Sequence, residues 1–171
     1  MTDLPRKFKA LIITLSDRAA EGEYEDLSGP QVKEMIIEYF RKIGWLIEAE
    51  LLVIHDDKAR LRQLLNEYSQ EYNIIITSGG TGIGPRDFTV DVVKDLIDIE
   101  IPGIMDYIRI KYGMEEPNAL LSRSIAGLMG RCLIYTLPGS VKAVKEYMSE
   151  ILKTLQHTIH MQYGLDVHGK H

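Results

Sequence analysis

The sequence predicts an α/β fold: a three-layer sandwich in which a mostly parallel sheet carries helices on both faces. Short runs rich in branched apolar residues alternate with longer segments whose apolar residues recur at helical spacing. This alternation implies right-handed crossovers, which make neighbouring strands parallel and cover both faces of the sheet. The 171 residues, 45% hydrophobic and 26% charged, suit a single domain with its core over about residues 8–157 and a tail at 158–171.

The predicted strands are short, apolar and β-branched, as buried strands are. They lie at residues 8–15, 45–54, 73–77, 124–129 and 132–137. The first three and the last are each followed directly by polar or glycine-rich residues.

The predicted helices show apolar residues on one face. They begin at Ser28 and Thr89 and also cover residues 58–68, 102–112 and 141–157. Ser28 and Gln31 have the spacing of a capping box, and Gly44 suits the position just after that helix. Loops are predicted at residues 19–27 and 113–118, and the segment 160–171 has no clear pattern.

Charge and cysteine usage exclude some classes of protein. The net charge of -5 offers no basic face for a nucleic acid duplex. No segment approaches the roughly 20 apolar residues that span a bilayer, and we find no signal peptide. The single cysteine, Cys132, lies in an apolar run and is interpreted as a buried structural thiol. We therefore expect a cytoplasmic protein without membrane or nucleic acid partners.

Four strand ends carry the residues with chemical potential. They are followed by Ser16-Asp17-Arg18, His55-Asp56-Asp57, the loop 78–87 and Pro138-Gly139-Ser140. Because the carboxyl ends of parallel strands share one edge of a sheet, we expect these segments to meet at a ligand crevice.

The loop at residues 78–84 holds four glycines in seven residues. Glycines let backbone N–H groups approach an anion, and the helix predicted from Thr89 adds a favourable N-terminal charge. The sequence therefore predicts a phosphate site, against the alternative of a tight turn. It is neither a Walker loop, since no lysine follows Gly82 or Gly84, nor a dinucleotide fingerprint, since Pro85 stands where glycine is needed.

Carboxylates near this loop suggest a metal. If Thr89 caps its helix, Asp87 is left without a structural role. Of the adjacent Asp56 and Asp57, Asp57 is favoured as the cap of the helix that follows, which leaves Asp56. Two such carboxylates beside phosphates suit Mg²⁺, against the alternative of solvated loop acids.

Basic residues and histidines are weaker candidates. Arg86 could balance phosphate charge, as could Arg18 or Arg123, although each could also be an ordinary surface arginine. The histidines near the C-terminus have no cysteines nearby and are interpreted as a solvated tail: His157, His160, His168 and His171.

The motifs resemble the signature of the Mog/MoaB family of molybdenum-cofactor biosynthesis proteins. The matching residues are Ile76-Thr77-Ser78-Gly79-Gly80-Thr81-Gly82, Pro85-Arg86-Asp87 with Thr89, Leu15-Ser16-Asp17-Arg18, Ile101-Pro102-Gly103, Leu121-Ser122-Arg123-Ser124 with Ala126-Gly127, and Leu137-Pro138-Gly139-Ser140. The resemblance covers residues 8–155. One departure is Ser140-Val141, where the family often has asparagine or glutamine followed by proline.

The resemblance implies a homotrimeric molybdopterin adenylyltransferase that joins ATP to molybdopterin and releases pyrophosphate with Mg²⁺. It implies Asp56 and Asp87 as catalytic residues and metal ligands, although Asp57 competes with Asp56 for this role. It implies that the pterin meets Ser122, Arg123 and Ser124. The residues implied to bind nucleotide and phosphate are Ser16, Asp17, Ser78, Gly79, Gly80, Thr81, Gly82, Pro138, Gly139 and Ser140.

Two other functions remain open at this stage. One is a catalytically silent trimeric molybdopterin-binding or scaffold protein of the MoaB type, against which the presence of both Asp56 and Asp87 argues. The other is a general nucleotide phosphohydrolase, which would turn over ATP without pterin.

Overall fold

The computed structural model describes residues 4–165. Its strands are β1 (Phe8–Leu15), β2 (Ile47–Ile54), β3 (Ile74–Ser78), β4 (Ile99–Glu100), β5 (Ala126–Met129) and β6 (Cys132–Leu137). Its helices are α1 (Asp17–Ala20), α2 (Ser28–Lys42), α3 (Lys58–Tyr68), α4 (Thr89–Leu96), α5 (Pro102–Gly113) and α6 (Val141–Gln162), with a 3₁₀ helix at Pro117–Leu121.

The strands form one sheet in the order β2-β1-β3-β6-β5-β4. The four strands from β2 to β6 are parallel neighbours, whereas β5 pairs antiparallel with β6 and β4 with β5. The predicted mostly parallel sheet is confirmed. The parallel register brings the carboxyl ends of β1, β2, β3 and β6 to one edge, where the site lies.

Helices cover both faces of the sheet, so the predicted three layers are confirmed. Alternate residues of each inner strand face opposite ways: Ile12 packs with α2, α5 and α6, and Ile13 packs with α3 and α4. In β6, Tyr135 packs on the same face as Ile12, and Ile134 packs on the same face as Ile13. Because both faces are buried, the strands read as continuous apolar runs.

Some elements differ from the sequence prediction. Residues 19–27 and 113–118 were predicted as loops, but the structure places α1 and the 3₁₀ helix partly within them, and β4 has no counterpart in the prediction. These elements are too short to show a period. Helix α6 continues five residues past His157 because Ile159 is buried and His160 packs edge-on against Trp45, 5.3 Å between ring centroids. The tail residues His168 and His171 lie outside the described residues.

Cys132 is fully buried, as predicted, and burial raises the pKa of its thiol to about 12. Within residues 4–165, no helix combines the length and the apolar character that crossing a membrane requires.

The N-terminus of α2 is capped differently from the prediction. Ser28 is the first helical residue, and Asp26 does the capping: its carboxylate accepts bonds from the backbone N–H groups of Ser28 and Gly29 at 3.0 and 3.2 Å. It also accepts from the hydroxyls of Ser28 and Thr14. A Cβ on Gly29 would lie 2.5 Å from this carboxylate. The Ser28 capping box is therefore wrong, whereas Gly44 has the left-handed φ of +75° that its predicted position requires.

We expect Asp26→Ala to lower the free energy of unfolding by about 2 kcal/mol, because it removes a helix cap and leaves the Thr14 hydroxyl without its hydrogen-bond acceptor. Urea unfolding followed by circular dichroism measures this value. Asp57→Ala removes only an exposed cap bond and should cost about 1 kcal/mol. Equal losses in the two variants would contradict the account.

Candidate functional site

A cavity of about 520 Å³ opens at the edge where the parallel strands end. The loop after β3, the 3₁₀ helix and the first turns of α6 form its walls. Backbone hydrogen bonds join neighbouring strand ends, since the Gly79 N–H donates to the Leu137 carbonyl at 2.9 Å and the Ser16 N–H to the Ile54 carbonyl at 3.0 Å. Of the four strand-end segments predicted to meet at a crevice, the glycine loop and Pro138-Gly139-Ser140 line this cavity, whereas residues 16–18 and 55–57 do not.

The glycine loop turns sharply at its start. Gly79 and Gly80 have φ of +105° and +68°, and a Cβ on Gly79 would lie 2.5 Å from the Leu15 carbonyl oxygen. A side chain is excluded at both positions. Within the described part of the chain, the backbone N–H groups of Gly80, Thr81, Gly82 and Ile83 have no hydrogen-bond acceptor. Four amide donors are thus available beside the cavity.

Asp87 lies inside the curve of this loop. Its Oδ2 accepts a bond of 2.8 Å from the Gly84 N–H. A Cβ on Gly82 or Gly84 would stand 2.8 or 2.9 Å from the same oxygen, so both glycines are needed for the carboxylate to fit. These two glycines make room for an acid of the protein itself, in addition to any external anion.

The expectation that Asp87 has no structural role is therefore wrong. The prediction that Thr89 caps its helix, on which that expectation rested, is wrong as well. Thr89 is the first residue of α4, and no side chain caps that helix. The Thr89 hydroxyl is buried and has no hydrogen-bond partner among residues 4–165, and a Cβ on Gly80 would collide with it. Asp87 keeps one carboxylate oxygen, Oδ1, that accepts no bond within the described chain.

The Arg123 side chain is hydrogen-bonded to the glycine loop. Its Nε donates to the Gly82 carbonyl at 2.7 Å, and its terminal nitrogens reach the Asp87 carbonyl and both carboxylate oxygens of Asp91. Its hydrogen bond lowers the pKa of Asp91. Arg123 is not in the cavity wall, and Ser124 is fully buried, so only Ser122 of the three predicted pterin contacts lines the cavity.

Asp56 and Asp87 border a second cavity of about 390 Å³, together with Gly80, Gly84 and Arg86, and Gly80, Gly84 and Asp87 line the first cavity as well. Asp57 caps α3 by accepting from the Arg60 N–H at 2.9 Å, as predicted, and Asp56 is left for chemistry. The two acids that the sequence singled out are thus brought together.

The electrostatics of Asp56 set it apart from its neighbours. Burial raises its pKa above the ordinary value, and the negative charges of Asp17 and Asp87 raise it further, whereas Arg86 lowers it. A carboxylate held among like charges gains from a cation beside it.

Asp17 follows β1 and reaches across to the end of β2. Its Oδ1 accepts from the Asp56 N–H at 2.9 Å and lies 3.3 Å from His55 Nδ1, while its Oδ2 is 3.1 Å from an Arg86 terminal nitrogen. The Asp56 N–H is the main cause that lowers the pKa of Asp17. Ser16 beside it caps α1 by accepting from the Ala19 N–H. Neither residue lines the two cavities described above.

The turn after β6 contributes the opposite wall. Pro138, Gly139 and Ser140 line the first cavity, and Ser140 caps α6 by accepting from the Ala143 N–H at 3.2 Å. The 22-residue helix α6 therefore begins at the cavity, which places its positive N-terminal charge there. Ser78 is buried, and its hydroxyl donates to the Pro138 carbonyl rather than pointing to a ligand.

Sequence reasoning missed several lining residues: Glu116, Asn118, Lys142, Glu146 and Tyr147. Lys142 and Glu146 stand on successive turns of α6, 3.8 Å between Nζ and Oε1. Helical spacing from Ser140 could have found them. Glu116 and Asn118 belong to the 3₁₀ region, which shows no such signal.

The residues present suit a cation that arrives with phosphates. Among residues 4–165, no three His, Cys, Asp or Glu side chains are arranged to hold a metal. Asp56 and Asp87 supply two hard oxygen ligands at most, as Mg²⁺ bound through substrate phosphates requires. The donor set fits Mg²⁺ with a nucleotide and does not fit a resident ion in a protein cage.

Residues 11–157 match the family described as "Probable molybdopterin binding domain". A molybdopterin adenylyltransferase of Helicobacter pylori strain J99 is 30% identical over 155 residues, which cover 90% of this chain and 86% of that protein. Gephyrin of Dictyostelium discoideum is 33% identical over 155 residues, and the match spans 86% of this chain but only 21% of gephyrin. The molybdopterin biosynthesis enzyme MoaB of Thermus thermophilus superposes with a TM-score of 0.77 at 33% identity, covering 92% of this chain and 97% of that one.

The charges around Asp56 make its pKa adjustable by mutation. Arg86→Gln should raise that pKa by removing a positive charge, and Asp87→Asn should lower it by removing a negative one. An NMR titration of the Asp56 carboxyl carbon measures both shifts. Binding of Mn²⁺ should weaken in every variant as the pH falls through the measured value, since only the ionised acid attracts a cation. Shifts of the opposite sign would contradict this description.

Proposed function

We propose that this protein is a molybdopterin adenylyltransferase of molybdenum cofactor biosynthesis. The chain belongs to the family of probable molybdopterin binding domains, and this membership supports the proposal. It would join ATP and molybdopterin to give adenylylated molybdopterin and pyrophosphate. One observation carries the proposal: the glycine loop, whose amides at residues 80–83 have no acceptor in the described chain, borders two cavities that share Asp87, and Asp56 lines one of them. An H. pylori relative of similar length carries the same activity in its name.

The loop amides and the start of α6 would hold the phosphates. Four residues with unused amide donors line the same cavity as the start of α6, and Lys142 adds a cationic side chain on the wall. Such preorganised donors stabilise charge that develops on a leaving pyrophosphate without reorganising during the reaction. Ser122 is the candidate pterin contact that faces this space.

Mg²⁺ bound through the nucleotide would neutralise phosphate charge and orient the α-phosphorus. Asp56 would bind it with the carboxylate whose pKa burial and neighbouring acids raise, and Asp87 with Oδ1, the oxygen that the Gly84 N–H does not contact. No nucleophilic side chain is required, because the terminal phosphate of molybdopterin itself attacks the α-phosphorus. The protein's task is therefore alignment and charge neutralisation.

We further propose that the chain forms homotrimers and works in the cytoplasm. Support for assembly comes from large apolar side chains exposed on α5, at the residue directly after it and on the 3₁₀ helix that contacts α5: Tyr107, Ile110, Met114, Leu120 and Leu121. Exposed apolar side chains grouped on two contacting elements are typical of interfaces between proteins. Sedimentation analysis gives the mass of the assembly.

Asp87→Asn should reduce pyrophosphate release at least about 100-fold while ATP still binds, since the amide keeps an acceptor for Gly84 but loses the charge that a cation needs. The assay uses ATP, Mg²⁺ and molybdopterin, with ATP binding followed by calorimetry. Asp57→Asn, on the same edge but employed as a helix cap, is the control and should remain within about twofold of wild type.

The same assay separates the alternatives. A wild-type protein that binds molybdopterin but never releases pyrophosphate would be the silent MoaB-type binding protein. One that splits ATP without pterin would be a phosphohydrolase. Near-normal turnover in Asp87→Asn would remove that residue from the proposed mechanism.

A further inference from the structure

Asp17 is linked to three segments that border the site. It follows β1, yet its carboxylate takes the backbone N–H of Asp56 at the end of β2 and meets Arg86 in the glycine loop. The His55 ring lies 3.3 Å from the same Oδ1.

These contacts disagree with a direct role in holding phosphate. Both oxygens of Asp17 already face donors of the protein, and the residue is not in the wall of either cavity described above. A carboxylate would also repel a phosphate placed against it. The nucleotide contact that the sequence resemblance implied for Asp17 therefore lacks geometric support.

The bond to the Asp56 amide fixes the backbone of the residue that would bind the cation. His55-Asp56-Asp57 is a short turn between β2 and α3, held on its far side by the Asp57 cap. Without the Asp17 carboxylate, the Asp56 N–H has no other hydrogen-bond acceptor in the described chain. The pair with Arg86 is weaker, because that side chain is 76% exposed.

We propose that Asp17 is a positioning residue: through the Asp56 N–H it holds the Asp56 carboxylate in the orientation that binds the nucleotide-bound cation. The inference rests on the proposed function for its cation. It assigns Asp17 no contact with substrate. The hydrogen bond, rather than the negative charge, is what the site needs from this residue.

Two substitutions separate the bond from the charge. Asp17→Asn loses the charge but keeps an oxygen that can accept from the Asp56 N–H, whereas Asp17→Ala loses both. The primary measurement is the affinity for Mn²⁺ in the presence of ATP, followed by electron paramagnetic resonance. Hydrogen exchange of the Asp56 amide, measured by NMR without metal or nucleotide, reports the bond itself. Asp57→Ala is the control for a loosened turn.

We expect Asp17→Ala to bind Mn²⁺ about tenfold more weakly than wild type and to lose protection of the Asp56 amide. Asp17→Asn should retain that protection and recover most of the affinity, and Asp57→Ala should bind Mn²⁺ within about twofold of wild type. If Asp17→Ala does not fold, Asp17→Ser replaces it, since the shorter hydroxyl cannot span the same gap.

Equal loss of affinity in Asp17→Asn and Asp17→Ala would overturn the proposal, because it would show that charge or direct ligation matters. Unchanged affinity in Asp17→Ala would overturn it as well, as would a wild-type protein that binds no Mn²⁺ with ATP. A wild-type protein that binds Mn²⁺ and ATP but releases no pyrophosphate with molybdopterin would refute the proposed reaction only, and the contrast between the two variants would still decide the role of Asp17.

Discussion

The bond from the Gly84 N–H to the Asp87 carboxylate organises the candidate site. It closes the glycine loop on an acid of its own sequence, which is why Gly82 and Gly84 cannot carry side chains. Arg123 holds the other side of the loop through the carbonyls of Gly82 and Asp87. The amides of residues 80–83 have no acceptor within the described chain and are left for an external anion, which is the arrangement that the proposed reaction uses.

The site brings opposite charges together around one loop. Amides, the start of α6 and Lys142 border the first cavity, which Asp87, Glu116 and Glu146 also line, and Asp56 borders the second cavity together with Asp87. A metal–triphosphate likewise carries anionic oxygens beside a cation. The raised pKa of Asp56 follows from gathering acids in a partly buried place, where a bound cation would relieve their repulsion.

Patterns with a clear period predicted most of the fold. The apolar runs that become β1, β3 and β6 and the stripe of α6 gave the layers, and the polar ends of parallel strands placed Asp56 beside the glycine loop. Asp57 as a cap also followed from position alone. What sequence reasoning missed depends on where side chains turn. Two cases are local: the residue order does not show that Asp87 turns back to Gly84, or that Asp26 rather than Ser28 caps α2. The third is a contact between distant residues, the pair of Arg123 and Asp91.

The central claim, that the loop around Asp87 presents its amides to phosphate, is tested most directly by amide NMR. ATP with Mg²⁺ is titrated into ¹⁵N-labelled protein, and the shifts are mapped on residues 4–165. The account predicts that the largest shifts fall on the amides of Gly80, Thr81, Gly82 and Ile83. Largest shifts on the opposite edge of the sheet, with these four unmoved, would contradict it.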